Sequence, residues 1–146
     1  MKNYNVIMLY SEDAKQLLMC RRRKAPYKGL SNLIGGKIEQ GEAGFDAAYR
    51  ELYEEAHVLK EDVTLFHVMD CVYYLSECKV EVYAGRLKQA VDVYGDENEL
   101  YWADLNENFF DMALFAGEGN IGHMVEQVKM HAEKILGGIS REQCSD

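Results

Sequence analysis

Short apolar runs separated by polar segments occupy the first part of the chain and predict strands. Residues 5–10 and 16–21 are two such runs, and the short polar segment between them is typical of a hairpin turn. Residues 25–31 contain the only proline of the chain and are expected to form a loop. Extended structure should return over 32–39, where two adjacent glycines interrupt the side chains.

A helical pattern follows over 43–56, because apolar residues recur there at spacings of three, four and four. β-Branched and aromatic residues are frequent in 63–75 and 79–87, which predicts a second hairpin. A short strand is expected at 100–103, and a final helix over 121–136 should end at a pair of glycines. Strands flank the first helix on both sides, which indicates a mixed α/β fold.

Length and composition are typical of one globular domain. The chain has 146 residues, of which 48% are hydrophobic and 28% are charged. A chain of this length buries roughly 68–70% of its unfolded surface around a single core. We therefore expect a single domain over 1–146, with the polar residues 139–146 as a frayed tail.

The formal net charge of −9 argues against binding to nucleic acid, because contacts to its backbone depend on lysine and arginine. A small polyanionic substrate remains compatible with this charge where local cations offset the field. The basic run Arg21–Lys24 is either a solvated strand end or a phosphate contact. Arg21 is therefore a candidate substrate-binding residue.

The sequence has no signal-peptide pattern and no run of the ~20 apolar residues that a membrane-spanning helix needs. We therefore expect a cytoplasmic protein with no membrane partner, either a monomer or a homodimer. Its cysteines form no C-x-x-C pair, which argues against a zinc site and a disulfide framework. Reduced, packed thiols are expected at Cys20, Cys71, Cys78 and Cys144.

Three glutamates, Glu51, Glu54 and Glu55, fall within little more than one turn of the first predicted helix. At about 100° per residue they share one face, and like charges at these spacings repel. Either a solvated acidic face or a bound cation would explain them. The preceding residues 35–37 and Glu42 bring a backbone carbonyl, a lysine and another carboxylate towards the same face, and the added oxygen ligands favour a hard cation such as Mg²⁺.

Segment 36–58 resembles the Nudix box, in which G, five residues, E and seven residues precede R-E-U-x-E-E-x-G-U, with U aliphatic. The matching positions are Gly36, Glu42, Arg50, Glu51, Leu52, Glu54, Glu55 and Val58. His57 replaces the final glycine, and we expect it to alter stability or turn shape without removing a ligand. The surrounding strands and the late helix also fit the family, so the resemblance extends over 3–138.

This resemblance implies a Nudix-type α/β/α sandwich, with a mixed β-sheet between helices. It also implies hydrolysis of a nucleoside diphosphate linked to another group, with Mg²⁺ or Mn²⁺ as cofactor and a nucleotide as substrate. The implied metal ligands are Glu51, Glu54, Glu55 and the Gly35 carbonyl. Glu51 and Glu54 are also candidate catalytic residues, together with Arg50, which would hold the carboxylates in place.

The family often supplies one more acidic ligand from a loop shortly before a strand. Glu99, three residues before Trp102, is preferred here over Glu97. Lys37 is a candidate phosphate contact, whereas Glu42 is expected to brace the junction between the loop and the helix.

The region before the box resembles that of MutT-type enzymes, in which an asparagine shortly before the double glycine meets the base. Asn32 takes that position, Tyr27 is a candidate for stacking on a base, and Asn120 for hydrogen bonding to one. The leading hypothesis is hydrolysis of a (deoxy)nucleoside triphosphate, such as 8-oxo-dGTP, to the monophosphate and pyrophosphate.

Three alternatives remain. Diadenosine polyphosphate hydrolases tend to have a tyrosine downstream of the box, and Tyr73 and Tyr74 lie in that region. An ADP-ribose or nucleotide-sugar hydrolase is the second alternative; ADP-ribose hydrolases tend to have a proline downstream of the box, which this sequence lacks. A non-catalytic nucleotide-binding regulator is a different class, and the intact acidic residues of the box argue against it.

Overall fold

The computed structural model describes residues 1–137, which form a mixed seven-stranded sheet with helices on both faces. This architecture confirms the expected α/β/α sandwich. The strands are β1 (Lys2–Tyr10), β2 (Gln16–Arg21), β3 (Ser31–Asn32), β4 (Ile34–Lys37), β5 (Phe66–Tyr73), β6 (Cys78–Arg86) and β7 (Glu99–Asp104). The helices are α1 (Gly44–Ala56), α2 (Asn120–Met130) and α3 (Ala132–Ile135), with a short 3₁₀ turn at Lys60–Asp62.

Strand β1 organises the sheet. It pairs in parallel with β6 over its whole length, from Lys2 opposite Cys78 to Tyr10 opposite Arg86. It also pairs antiparallel with β4 and, at its end, with β2, while β7 pairs with the other edge of β2. The apolar run at the end of β1 suits a strand that is covered on both faces.

Alternation along β1 assigns its side chains to two cores. Ile7 and Leu9 pack beneath α1 with Leu52, whereas Met8 packs on the opposite face with Val125 of α2. The apolar side of α1 packs against the sheet. Its glutamate-bearing side therefore lies next to the end of β4.

The predicted elements are confirmed with small shifts at their ends. The helix expected at 43–56 is α1, and the strand expected at 100–103 lies within β7. The run 63–75 contains β5, and the run 79–87 corresponds to β6, which begins one residue earlier at Cys78. The two strands pair antiparallel, as expected of a hairpin.

The prediction of one continuous final helix was wrong. The helix breaks at His131, whose backbone angles are φ −122° and ψ 29°, and α3 follows as a separate short helix. After the break, Ile135 and Leu136 are buried in the core. The Arg86 guanidinium donates a hydrogen bond to the Leu136 carbonyl oxygen at 2.7 Å. Residues 138–146, including the second terminal glycine, the expected tail and Cys144, lie outside the described residues.

Within residues 1–137, no helix combines the length and apolar character needed to cross a membrane. The cysteines in this range, Cys20, Cys71 and Cys78, are free thiols. Burial raises the pKa of the Cys20 thiol to about 11, so it remains protonated near neutral pH.

We expect Leu52→Ala to lower the free energy of unfolding by about 2–5 kcal/mol, because it leaves a cavity between α1 and the sheet. Chemical denaturation monitored by circular dichroism measures this loss. The neighbouring substitution Tyr53→Ala is a matched control, since Tyr53 is 53% exposed and should change stability by less than about 1 kcal/mol. Equal losses for the two variants would contradict this packing.

Candidate active site

Arg50 is the centre of a hydrogen-bonded carboxylate cluster on α1. Its guanidinium donates to both Glu42 carboxylate oxygens, at 2.8 and 3.0 Å. The same group donates to one oxygen each of Glu51 and Glu54, both at 3.1 Å, and to the Lys37 carbonyl oxygen at 3.1 Å. Arg50 therefore ties the loop before α1 to the acidic face of the helix. The observed contacts agree with the bracing position expected for Glu42.

Glu51 is buried, with 7% of its surface exposed, although it lies on the polar side of the helix. Burial raises the pKa of its carboxyl, and the adjacent Arg50 opposes this effect. Gly36 lies directly beneath, since a Cβ atom there would come within 2.4 Å of a Glu51 carboxylate oxygen. The absence of a side chain at position 36 is what lets the carboxylate approach the strand.

Glu55 faces the neighbouring glycine, and the Gly35 N–H donates to its carboxylate at 3.4 Å. Burial, and then the charge of Glu51, raise the pKa of Glu55 from its usual 4.5 to about 7. No lysine, arginine or histidine within residues 1–137 forms an ion pair with it. A half-buried carboxylate without a cationic partner is the type of group that a metal ion would stabilise.

These glutamates open into one acidic pocket of roughly 170 Å³. It is lined by Cys20, Glu51, Glu54, Glu55, Asp96, Glu97, Asn98 and Leu100. Its carboxylate and amide oxygens suit a hard divalent cation such as Mg²⁺ or Mn²⁺. Of the predicted metal ligands, the structure gathers Glu51, Glu54 and Glu55 here, with Gly35 adjacent to Glu55 through its N–H.

The structure does not bring Glu99 into this pocket, and that prediction is corrected. Glu99 is the first residue of β7 and lies opposite Arg21 of β2, with a guanidinium–carboxylate distance of 3.8 Å. Side chains alternate along a strand, so Leu100 faces the acidic pocket and Glu99 faces away from it. Glu97, which precedes the strand, supplies the acidic side chain instead.

A second, larger pocket of roughly 470 Å³ contains three of the predicted substrate-binding residues. It is lined by Val6, Tyr27, Asn32, Leu33, Tyr73, Ser76, Cys78, Val80, Gly117, Glu118, Asn120, Ile121 and Met124. The Tyr27 hydroxyl donates to Glu118 at 2.8 Å, and the Asn120 amide donates to the Tyr73 hydroxyl. The lining combines an apolar floor with a few polar groups, which suits a ring system carrying hydrogen-bonding edges.

The NUDIX domain family profile matches residues 1–118 of this chain. The chain belongs to the Nudix family. Dihydroneopterin triphosphate diphosphatase of Escherichia coli (strain K12) is 37% identical over 68 residues, which is 45% of this chain and 42% of that protein. The aligned part is therefore less than half the length of the relative.

Solved structures share the fold of this Nudix domain at low sequence identity. A C. elegans Ap4A hydrolase in a binary complex is 19% identical with a TM-score of 0.72, and the match covers 90% of this chain and 98% of that one. The NUDIX domain of Shewanella oneidensis NrtR, complexed with ADP ribose, is 16% identical with a TM-score of 0.69 and coverages of 89% and 87%.

The remaining two predicted substrate-binding residues lie outside both pockets. Arg21 is exposed on the strand that pairs with β7, and its guanidinium lies 5.2 Å from the centre of the Tyr101 ring. Lys37 is exposed at the end of β4 and lines a separate open depression that also includes Glu42. Neither is placed against the acidic pocket of this Nudix domain.

A second group of titratable side chains lies on the α1 face of the sheet, at His67, Asp70 and Glu81. A bulge in β5 turns His67 and Asp70 to the same side. Their polar atoms are already paired, since His67 Nε2 lies 2.7 Å from Asp70 and Glu81 contacts Lys79 and the Tyr83 hydroxyl. We therefore assign no metal to this group.

The sequence interpretation missed Asp96 and Glu118 as pocket residues and assigned no contact to His57. Asp96 precedes β7 in a segment without helix or strand, so its place in the pocket depends on the path of that segment past the end of α1. Glu118 carried no signal in its local pattern, because its place beside Tyr27 depends on two loops that are 91 residues apart.

In metal-free buffer at pH 8, Glu55→Gln should raise the free energy of unfolding on the order of 1–2 kcal/mol, after allowance for solvent screening. The folded protein binds more protons at Glu55 than the unfolded chain does between about pH 4.5 and 7, so stability falls as pH rises through this window. The gain should therefore vanish at pH 4. Thermal unfolding in a chelator measures it.

Glu54→Gln provides the control, because the Glu54 side chain is 54% exposed. This variant should not gain stability at pH 8, because an exposed carboxylate stays hydrated in the folded protein and its substitution removes the ion pair with Arg50. An equal change in the stability of Glu55→Gln at pH 4 and pH 8 would show that burial does not raise the pKa of Glu55.

Proposed function

We propose that this protein is a divalent-cation-dependent pyrophosphohydrolase that cleaves a phosphoanhydride bond in a nucleoside diphosphate derivative. The observation that carries this proposal is the convergence of Glu51, Glu54, Glu55 and Glu97 on one pocket behind Gly36. Family membership and a relative named as a triphosphate diphosphatase support it. The cytoplasmic location and the oligomeric state stay predictions.

The acidic pocket would hold Mg²⁺ or Mn²⁺ through Glu51, Glu54, Glu55 and Glu97. A bound cation supplies two things, neutralisation of phosphate oxygens and a lowered pKa of coordinated water. The Gly35 carbonyl is proposed as a further ligand, as the family resemblance implies.

Arg50 determines which carboxylate oxygens remain available for chemistry. Its guanidinium contacts Oε1 of Glu51 and Oε2 of Glu54, so that Glu51 Oε2 and Glu54 Oε1 are not used by Arg50. We propose that these two oxygens orient the attacking water and accept its proton. Arg50 acts by fixing the two carboxylates, since its own proton is too strongly held to be transferred.

The substrate proposed first is a (deoxy)nucleoside triphosphate, with an oxidised purine such as 8-oxo-dGTP as the leading example. The larger pocket would hold the base, with Asn32 and Asn120 hydrogen bonding to its edge and Tyr27 against its face. Asn32 and Gly35 are close in sequence, at the junction of β3 and β4, which connects this pocket to the phosphate end.

Other substrates with a phosphoanhydride bond are also supported. Tyr73, the residue expected for diadenosine polyphosphate hydrolysis, lines the larger pocket, and an Ap4A hydrolase shares the fold. The relative named for dihydroneopterin triphosphate adds a pterin triphosphate to the candidates. A regulator that binds a nucleotide without hydrolysing it is the alternative from another class.

Incubation with Mg²⁺ and a panel of dGTP, 8-oxo-dGTP, dihydroneopterin triphosphate, Ap4A and ADP-ribose tests the reaction. We expect pyrophosphate and a monophosphate from a triphosphate substrate. Glu54→Gln should lower kcat by about 100-fold, because it removes a ligand and a proton acceptor. Glu126→Gln, on the exposed side of α2, is the matched control and should keep full activity.

Binding of these compounds without turnover would reject catalysis and favour the regulator. Full activity of the Glu54 variant would reject the assignment of the acidic pocket.

Asn32→Ala should raise KM for the preferred triphosphate by about 10-fold with a smaller effect on kcat, because one hydrogen bond to the base is lost. Steady-state kinetics measure both constants. Asn106→Ala, in an exposed turn, serves as the control and should leave KM unchanged. A selective loss of kcat would show that Asn32 does not act by binding the base.

A further inference from the structure

We propose that His57 is a positioning residue for the acidic pocket, because its ring fastens segment 93–98 to the end of α1. This segment carries Asp96 and Glu97, which lie in the pocket with the α1 glutamates. The inference deepens the proposed function, since it rests on the pocket being a cation site. The side chain that interrupts the box pattern thereby acquires a definite role.

The backbone at His57 does what the glycine of the box pattern would do. His57 has φ 58° and ψ 31°, the left-handed conformation that commonly ends a helix. Its N–H donates to the Tyr53 carbonyl oxygen at 3.0 Å, and the Val58 N–H reaches the Leu52 carbonyl oxygen at 3.4 Å. Glycine would adopt this conformation with less strain, so helix termination does not explain the imidazole.

The imidazole ring makes three contacts with the 93–98 segment, and it also lies edge-on to the Tyr53 ring of α1 at a centroid distance of 6.0 Å. Nδ1 lies 2.9 Å from the Tyr94 carbonyl oxygen, and because a carbonyl only accepts, Nδ1 is the donor. The ring stacks on the Tyr94 ring with a centroid distance of 3.9 Å and an interplanar angle of 10°. Nε2 lies 3.7 Å from an Asp96 carboxylate oxygen.

The same segment also docks through its backbone. The Tyr94 N–H donates to the Ala56 carbonyl oxygen at 3.3 Å. Gly95 fits closely over the Glu55 carbonyl, since a Cβ atom there would lie 2.9 Å from that oxygen. Residues 93–98 contain no helix or strand, so these contacts with the end of α1 hold the segment until β7 begins.

Charge makes this fastening necessary. Asp96 and Glu97 share the pocket with three glutamates of like charge, and the repulsion between these carboxylates favours displacement of the segment away from α1. The contacts of His57 oppose that displacement and keep the acidic side chains of the segment in place. Preorganisation of this kind raises affinity by lowering the cost of ordering the ligands.

The test compares Mn²⁺ binding by the full chain and its variants in the absence of substrate, by isothermal titration calorimetry. His57→Gly keeps the left-handed turn and removes the ring, and it should weaken Mn²⁺ binding by about 10-fold. Its thermal stability in a chelator should equal or exceed that of the wild type. Amide hydrogen exchange at 93–98 should be faster in the metal-free variant.

Further variants separate the ring from the backbone. His57→Ala also lacks the ring but adds backbone strain, so it should match the glycine variant in Mn²⁺ affinity and be less stable. His57→Asn keeps a donor and tolerates the left-handed turn, so it should restore part of the affinity. Tyr94→Leu should weaken binding, and the double variant with His57→Gly should be less than additive.

Unchanged Mn²⁺ affinity and unchanged exchange at 93–98 in His57→Gly would overturn the positioning role while leaving the proposed function intact. Failure of the wild-type protein to bind Mn²⁺ would overturn both. A loss of affinity in His57→Ala alone would assign the effect to backbone strain and would also reject the role proposed for the ring.

Discussion

The Arg50 guanidinium holds three carboxylates and one backbone carbonyl, and the shape of the acidic pocket depends on these contacts. Its bidentate contact with Glu42 anchors the loop between β4 and α1. Its remaining contacts orient Glu51 and Glu54. A planar fork with several donors can make all of these bonds at once, which the ammonium of a lysine cannot.

The single positive charge of Arg50 does not neutralise the carboxylates that it holds in place. Glu55 is left without a cationic partner in the described part of the chain, and its pKa is raised to about 7 as a result of burial and of its neighbours. An arrangement of this kind is unfavourable for the metal-free protein. The divalent cation proposed for this pocket would offset that cost, so the lower stability of the metal-free protein would be accompanied by a higher affinity for the cation.

The end of α1 illustrates how a family pattern can change at one position while its carboxylates are kept. Glycine has no side chain to add to the turn at the end of the box, whereas His57 forms the same turn and adds three ring contacts with the 93–98 segment. Loops tolerate such changes because they carry few of the contacts that stabilise the core. The effect is therefore expected in the geometry of the site more than in the fold.

Local pattern in the sequence determined the helix and strand types, the identity of the acidic residues and their common face on α1. These properties depend on periodicities of 3.6 and 2 residues and on spacing within a single segment, which are readable from neighbouring residues. Tertiary structure decided that Glu99 faces Arg21, because the pairing of β7 with β2 fixes its direction. It also decided that Glu97 lines the pocket, because Glu97 lies in the irregular segment 93–98, whose path depends on contacts with the end of α1. It also decided that Tyr27 meets Glu118 and that His57 meets Tyr94, because contacts between segments distant along the chain arise only when the sheet and its loops assemble.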